Sequence, residues 1–152
     1  MPDQKMIAHI NGLVADATVI YFKLHNYHWN LRGPSFFTLH DKFEELYNEW
    51  AGTLDELAER ALSLGGHPPL NLKQCLELTV IKEETEILPA EKMVAQTLAD
   101  FHQARHRMKA ASEYAQETGD KTTENILDGF IDSLAKHDWM LGAFIDRAVS
   151  QD

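Results

Sequence analysis

FFTLHDKFEELYNEWAGTLDELAERALSL, residues 36 to 64, decides the fold. Phe36, Leu39, Phe43, Leu46, Trp50, Leu54, Leu57, Ala61 and Leu64 recur every three or four positions, the spacing that lays an apolar stripe along one side of an α-helix. Two further faces share the same helix. His40, Glu44, Asp55 and Glu59 fall within an arc of about 100°, centred roughly 130° from the stripe. Asp41, Glu45, Glu49 and Glu56 form a third arc. A helix that only has to be soluble needs a core face and a polar face; this one adds a candidate ligand face to a dense acidic strip.

The ligand face is symmetric about the point between Glu49 and Trp50. At a rise of about 1.5 Å per residue, Glu44 and Asp55 stand about 16 Å apart and His40 and Glu59 about 28 Å, too far for one ion to bridge. A second copy packed antiparallel about a two-fold axis at that point brings His40 and Glu44 of one chain against Asp55 and Glu59 of the other, twice over. Ala51 and Gly52, beside Asn48 and with Ala58 further along, are small enough to let two such helices approach closely. The alternative, judged from this helix alone, is a solvated charged face, because exposed carboxylates are common.

The 152 residues, 44% of them hydrophobic, suit a single domain over 1–152 with a substantial core. The first residues, MPDQKM, have neither the basic nor the apolar region of a secretion signal, and no apolar run is long enough to span a bilayer, so a cytoplasmic protein is expected. The lone Cys75 excludes an internal disulfide and a multi-cysteine zinc site, and reads as a buried small residue before it reads as a nucleophile. A formal charge of −10 disfavours polyanions as partners and favours attraction of cations.

Upstream, Ile7, Ile10, Val14, Ala17, Tyr21 and Leu24 repeat at helical spacing, and His28 continues their inward stripe. Arg32, Gly33, Pro34 and Ser35 interrupt the pattern, with Ser35 placed to cap the next helix. That helix stops at Gly65, Gly66, Pro68 and Pro69. Residues 71–78 suit a short helix inside a long crossover, which lets the helices on either side run in the same sense. Pro89 falls in the first turn of a third long helix carrying Val94, Leu98, Phe101, Met108 and Ala111, with a stop near Gly119. A fourth is expected over about 122–149, with Leu127, Phe130, Leu134, Leu141 and Ile145 inward. Nothing alternates like a strand, so the expected fold is an all-α four-helix bundle with a short extra helix in its long connection.

Carboxylates with a few imidazoles and no thiolates suit iron or manganese better than copper(I) or structural zinc. None of the 8 histidines has a Glu three residues before it, so the Glu-x-x-His pairs of a di-iron site inside one bundle are missing. The shared site is strengthened by that absence.

The segment from His25 to Gly66, HNYHWNLRGPSFFTLHDKFEELYNEWAGTLDELAERALSLGG, closely resembles the Dps family, the ferritin-like mini-ferritins. The resemblance rests on His-Trp, Gly-Pro, Phe-x-x-Leu-His and Asp-x-x-x-Glu-Arg at family spacing, and extends along the chain to HDWML at 137–141. It implies a ferroxidase centre with His28, His40 and Glu44 from one chain and Asp55 and Glu59 from its partner, holding a dinuclear iron site between subunits. Where this chain has Glu44 the family usually has Asp, one methylene shorter. It further implies a hollow shell of twelve subunits that oxidises Fe(II), preferably with hydrogen peroxide, and stores ferric mineral.

Under the same resemblance Asp41 and Glu45 nucleate mineral, or else belong to a solvated face. Trp29 and Trp139 intercept oxidising equivalents near the centre, or simply pack. Asp120, Glu124 and Asp128 line an iron-entry pore, although capping a helix N-terminus also explains one or two of them. His102 and His106 read as surface or packing residues before adventitious metal ligands; His9, His67 and His137 read as structural or solvated. Family members that bind DNA directly do so with a basic terminal arm. Residues 1–6 hold one Lys and one Asp, and 149–152 end acidic, so direct DNA binding at neutral pH is not expected and the alternative of a nucleoid-compacting protein is disfavoured.

Overall fold

The computed structural model describes residues 1–146, which contain five helices and no strand: α1 (Gln4–Asn30), α2 (Phe36–Ser63), α3 (Leu72–Leu78), α4 (Ala90–Thr118) and α5 (Lys121–Phe144). Four long helices make an all-α bundle, and the short α3 lies in the connection between α2 and α4. The helices α1 and α2 pack as one antiparallel hairpin, α4 and α5 as another, and α1 against α4 joins the pairs.

Local chemistry sets the ends. Asp3 caps α1 by accepting from the amides of Lys5 and Met6, and Asn71 caps α3 by accepting from Gln74. At the end of α2, Gly66 N donates to Ala61 O at 2.9 Å and Gly65 N to Leu62 O at 3.0 Å, a Schellman closure that needs the left-handed backbone of Gly65 at φ 87°. Gly119, at φ 76°, closes α4 the same way.

Three expectations are corrected in detail. Ser35 occupies the cap position of α2 but makes no side-chain cap bond, because its backbone sits at φ −91°, ψ 10° and not in the extended region from which a hydroxyl reaches the first amides. Pro89 is the cap of α4 and precedes its first turn, held at ψ 152°. The last described helix ends at Phe144, where Ile145 is a half-buried cap; the remainder of the expected span to 149, and the terminal residues 149–152, lie outside the described residues.

The core runs the length of the bundle, with Tyr27, Phe43, Leu46, Met93 and Phe101 almost wholly buried and Trp50 packed on Phe101 at 5.5 Å. Fully burying such side chains contributes about 1.5–3 kcal/mol each. The crossover after α3 has no regular structure and is anchored by buried polar groups. Asp16 accepts from Thr79 Oγ1 at 2.7 Å, Val80 N at 3.0 Å and Arg107 Nη1 at 3.0 Å. Lys23 donates to Lys82 O at 2.8 Å and pairs with Asp100 at 2.6 Å, and Tyr27 Oη donates to Glu84 at 2.7 Å. Burial pushes the Asp16 and Asp100 carboxyls up, outweighing Thr79 and the other bonds at Asp16 and Lys23 at Asp100.

Candidate metal centre

The turn at residues 31–35 folds the end of α1 onto the start of α2 and brings His28 and His40 face to face, ring centroids 3.7 Å apart and 14° from parallel. Each imidazole ties its own helix to the other. His28 Nδ1 donates to His40 O at 2.8 Å, and His40 Nδ1 donates to His28 O at 2.9 Å. A carbonyl can only accept, so both rings carry a hydrogen on Nδ1, and in the neutral ring that leaves the lone pair on Nε2. Neither Nε2 has a hydrogen-bond partner among the described residues. Phe36 stacks on the other side of His40 at 4.8 Å, which fixes the ring further.

One turn after His40, the exposed Glu44 carboxylate accepts a long bond from Tyr47 Oη at 3.5 Å. Asp55 and Glu59 are also exposed, but α2 is unbroken over Phe36–Ser63, so the axial separations of about 16 and 28 Å hold. Among the described residues no three His, Cys, Asp or Glu side chains of one chain gather where they could hold a metal ion. The chain thus carries an imidazole pair with one carboxylate, Glu44, at one end of α2 and a pair of carboxylates, Asp55 and Glu59, towards the other. The latter end is braced separately: Arg60, next to Glu59, reaches α5 with Nε on Thr123 Oγ1 at 2.9 Å and Nη2 on Asp120 at 3.1 Å.

The remaining candidates are distributed around this frame. Asp41 and Glu45 are exposed on α2, and Glu45 pairs with Lys42 at 3.3 Å. Asp120 caps α5, accepting from Thr123 N at 3.1 Å and Thr123 Oγ1 at 2.5 Å besides Arg60. Burial works to raise its pKa, but the Thr123 and Arg60 bonds outweigh it and leave the carboxyl below its ordinary value. Glu124 pairs with Lys121 at 3.2 Å, and Asp128 accepts from Ser112 Oγ at 2.6 Å. Trp29 is 61% exposed and packs on His25 at 5.1 Å. Trp139, 56% exposed, has no ring packed on it among the described residues. His9 packs on Tyr114 at 5.4 Å, His67 is exposed, and Cys75 is a buried free thiol. On α4 His106 is exposed and His102 half-buried, and among the described residues they belong to no group of three that could hold a metal ion.

Two groupings were not anticipated from sequence. Tyr47 stacks on His25 at 3.7 Å and stands edge-on to His28 at 5.3 Å, beside the imidazole pair. Its spacing of three from Glu44, and that of His25 from His28, were the available signals. On the acidic strip, Glu49 crosses to α5, where His137 Nε2 lies 2.6 Å from one carboxylate oxygen and Ser133 Oγ donates to the other. The His137 bond leads the causes that hold the Glu49 carboxyl below its ordinary value.

Comparison with known proteins agrees with this architecture. The family model for the ferritin-like domain matches residues 7–149. General stress protein 20U of Bacillus subtilis is 44% identical over 142 residues, covering 93% of this chain and 98% of that protein. The DNA protection during starvation protein of Brevibacillus brevis is 46% identical over 144 residues, covering 94% and 97%. The crystal structure of Dps from Staphylococcus aureus superposes with a TM-score of 0.92 at 42% identity, covering 95% of this chain and 97% of that one. With its helices, its crossover and near full-length similarity to these proteins in view, the chain belongs to the Dps family of ferritin-like proteins.

Proposed function

We propose that this protein is a ferroxidase and iron-storage mini-ferritin, in which Fe(II) bound between two antiparallel copies is oxidised, preferably by hydrogen peroxide, and kept as ferric mineral inside a twelve-subunit shell. The observation that carries this reading is the reciprocal bonding of His28 and His40, which fixes two imidazoles by Nδ1 and leaves their Nε2 atoms to bind metal, with Glu44 one helical turn beyond His40. Carbonyl-oriented imidazoles with carboxylates are an iron(II) donor set, and the backbone carbonyls act as the outer partners that set tautomer and ring direction. Asp55 and Glu59 of the partner subunit would complete each site, giving two Fe(II) ions that each surrender one electron to a peroxide.

Two features of the isolated chain support pairing along α2. Gly52 is exposed in mid-helix, where glycine costs about 1 kcal/mol against alanine, and among the described residues nothing beyond its own helix backbone lies within 4 Å of the Cβ that it lacks. Close approach of a second α2 gives that glycine a reason. Nearby, Phe22, Leu54, Leu72 and Leu76 line an open groove of about 510 Å³, with Phe22 64% and Leu72 70% exposed. Such apolar exposure suits a subunit contact.

Relatives carry the name DNA protection during starvation protein, and protection here follows from removing Fe(II) and peroxide together, the pair that generates hydroxyl radical. Compaction of DNA by direct binding does not fit a charge of −10. Anaerobic Fe(II) titration, then peroxide addition and particle sizing, tests the proposal. Iron retained in a soluble particle far larger than the 17.3 kDa chain is expected; ferric precipitate forming as fast as in a protein-free control would overturn it.

A further inference from the structure

We propose that Tyr47 is a positioning residue for the metal centre, holding Glu44 where the carboxylate can join His28 and His40, an inference that rests on the ferroxidase reading above. Glu44 and Tyr47 are one helical turn apart, and the Tyr47 phenol is the only side chain bonded to Glu44 among the described residues, at 3.5 Å. The bond is long, so its value depends on how firmly the phenol is held. The ring is clamped: His25 stacks on it at 3.7 Å and 20°, Tyr21 meets it edge-on at 6.2 Å, and His28 meets it edge-on at 5.3 Å. Tyr21 also closes on His25 at 4.7 Å, making a three-ring cluster. The phenol hydroxyl is the donor and the Glu44 carboxylate the acceptor.

An exposed glutamate on a helix otherwise samples several rotamers, and a donor fixed by three rings removes much of that freedom before metal arrives. The length of the side chain matters too. Shortening Glu44 to aspartate withdraws the carboxylate by about 1.5 Å, one carbon–carbon bond, and takes it out of reach of the phenol.

The test is an anaerobic Co(II) titration followed by visible absorption, which reads binding without turnover, on the assembled protein and on Tyr47→Phe, Glu44→Asp and the double variant. Tyr47→Phe keeps the ring and its stack and should leave the thermal midpoint in place. It is expected to weaken Co(II) binding about tenfold when Glu44 is present, the lower end for loss of a ligand's outer partner, and under about twofold in the Glu44→Asp background. Equal weakening in both backgrounds, or none in either, would overturn the positioning role. His28→Ala serves as the control: if it binds Co(II) unchanged, the metal-centre reading fails and this inference with it, whereas loss of binding there with an unaffected Tyr47→Phe rejects Tyr47 alone.

Discussion

Mixing two inactive variants offers the sharpest test of a divided site. His40→Ala removes an imidazole from one half-site, and Glu59→Ala removes a carboxylate from the other. In a continuous helix over Phe36–Ser63 these residues are about 28 Å apart, so no bending of side chains lets one chain use both. Suppose the two variants are dissociated, mixed in equal amounts and reassembled, with exchange verified by mass. Half of the two-fold pairs are then mixed, and in each mixed pair one site combines the intact histidine half of one chain with the intact carboxylate half of the other. About a quarter of all sites are restored, while the second site of each mixed pair is doubly damaged. Stopped-flow Fe(II) oxidation by peroxide should therefore recover to about a quarter of the unmodified rate at saturating iron, from a background near zero in each variant alone. No recovery despite proven exchange would refute the divided site, and so would full activity in either variant by itself.

Three further expectations follow from particular contacts. Asp120→Ala removes both the cap of α5 and the partner of Arg60, and should lower stability by about 1–2 kcal/mol in urea unfolding at fixed protein concentration, with a smaller loss for Asp120→Asn, whose amide oxygen still accepts from Thr123 N. The Glu49 carboxyl is held below its ordinary 4.5 by the His137 bond, so its contribution to stability is present above that value and lost as pH falls through the lower folded value; the urea midpoint gap between the native protein and Glu49→Gln should narrow on acidification below about pH 4.5, and a gap that widens would contradict the assignment. With −10 on every chain and Lys5 the only basic residue among the first six, plasmid DNA should show no gel shift at about pH 7.5 without divalent metal, yet be spared cleavage by Fe(II) and peroxide; a metal-free, salt-sensitive shift would contradict the first half, and cleavage equal to a no-protein control the second.

The helices were readable because periodic burial writes itself into spacing. Residues 36–64 announce α2 to within a residue, and His28 could be placed inward from the stripe that begins at Ile7, where it is indeed buried. Hydrogen-bond geometry was far less visible. The crossed bonds between His28 and His40 depend on how two helices dock, and no local pattern encodes which ring nitrogen meets which carbonyl. Ser35 misled for a related reason: cap preference is a statement about residue type, but the bond requires a backbone conformation that this turn does not adopt. Glu49 and His137 lie 88 residues apart, and buried ionic anchors such as Lys23 with Asp100 have no periodicity to reveal them. The position of Asp120 in the sequence suits a pore or a cap, and its bond to Arg60 is legible in neither.

The separate bracing of the two ends of α2 has a consequence for the life of a newly made chain. The histidine end is fixed by α1, and the carboxylate end by the bonds of Arg60 to the start of α5, so each half can form as soon as its own chain folds. If the halves meet only across a subunit boundary, a freshly released chain is chemically silent however completely folded. Redox chemistry then begins when a partner arrives, with an onset that rises as the square of chain concentration while copies are scarce. Such a threshold keeps peroxide and iron from being brought together on a lone polypeptide with no enclosure to receive the product.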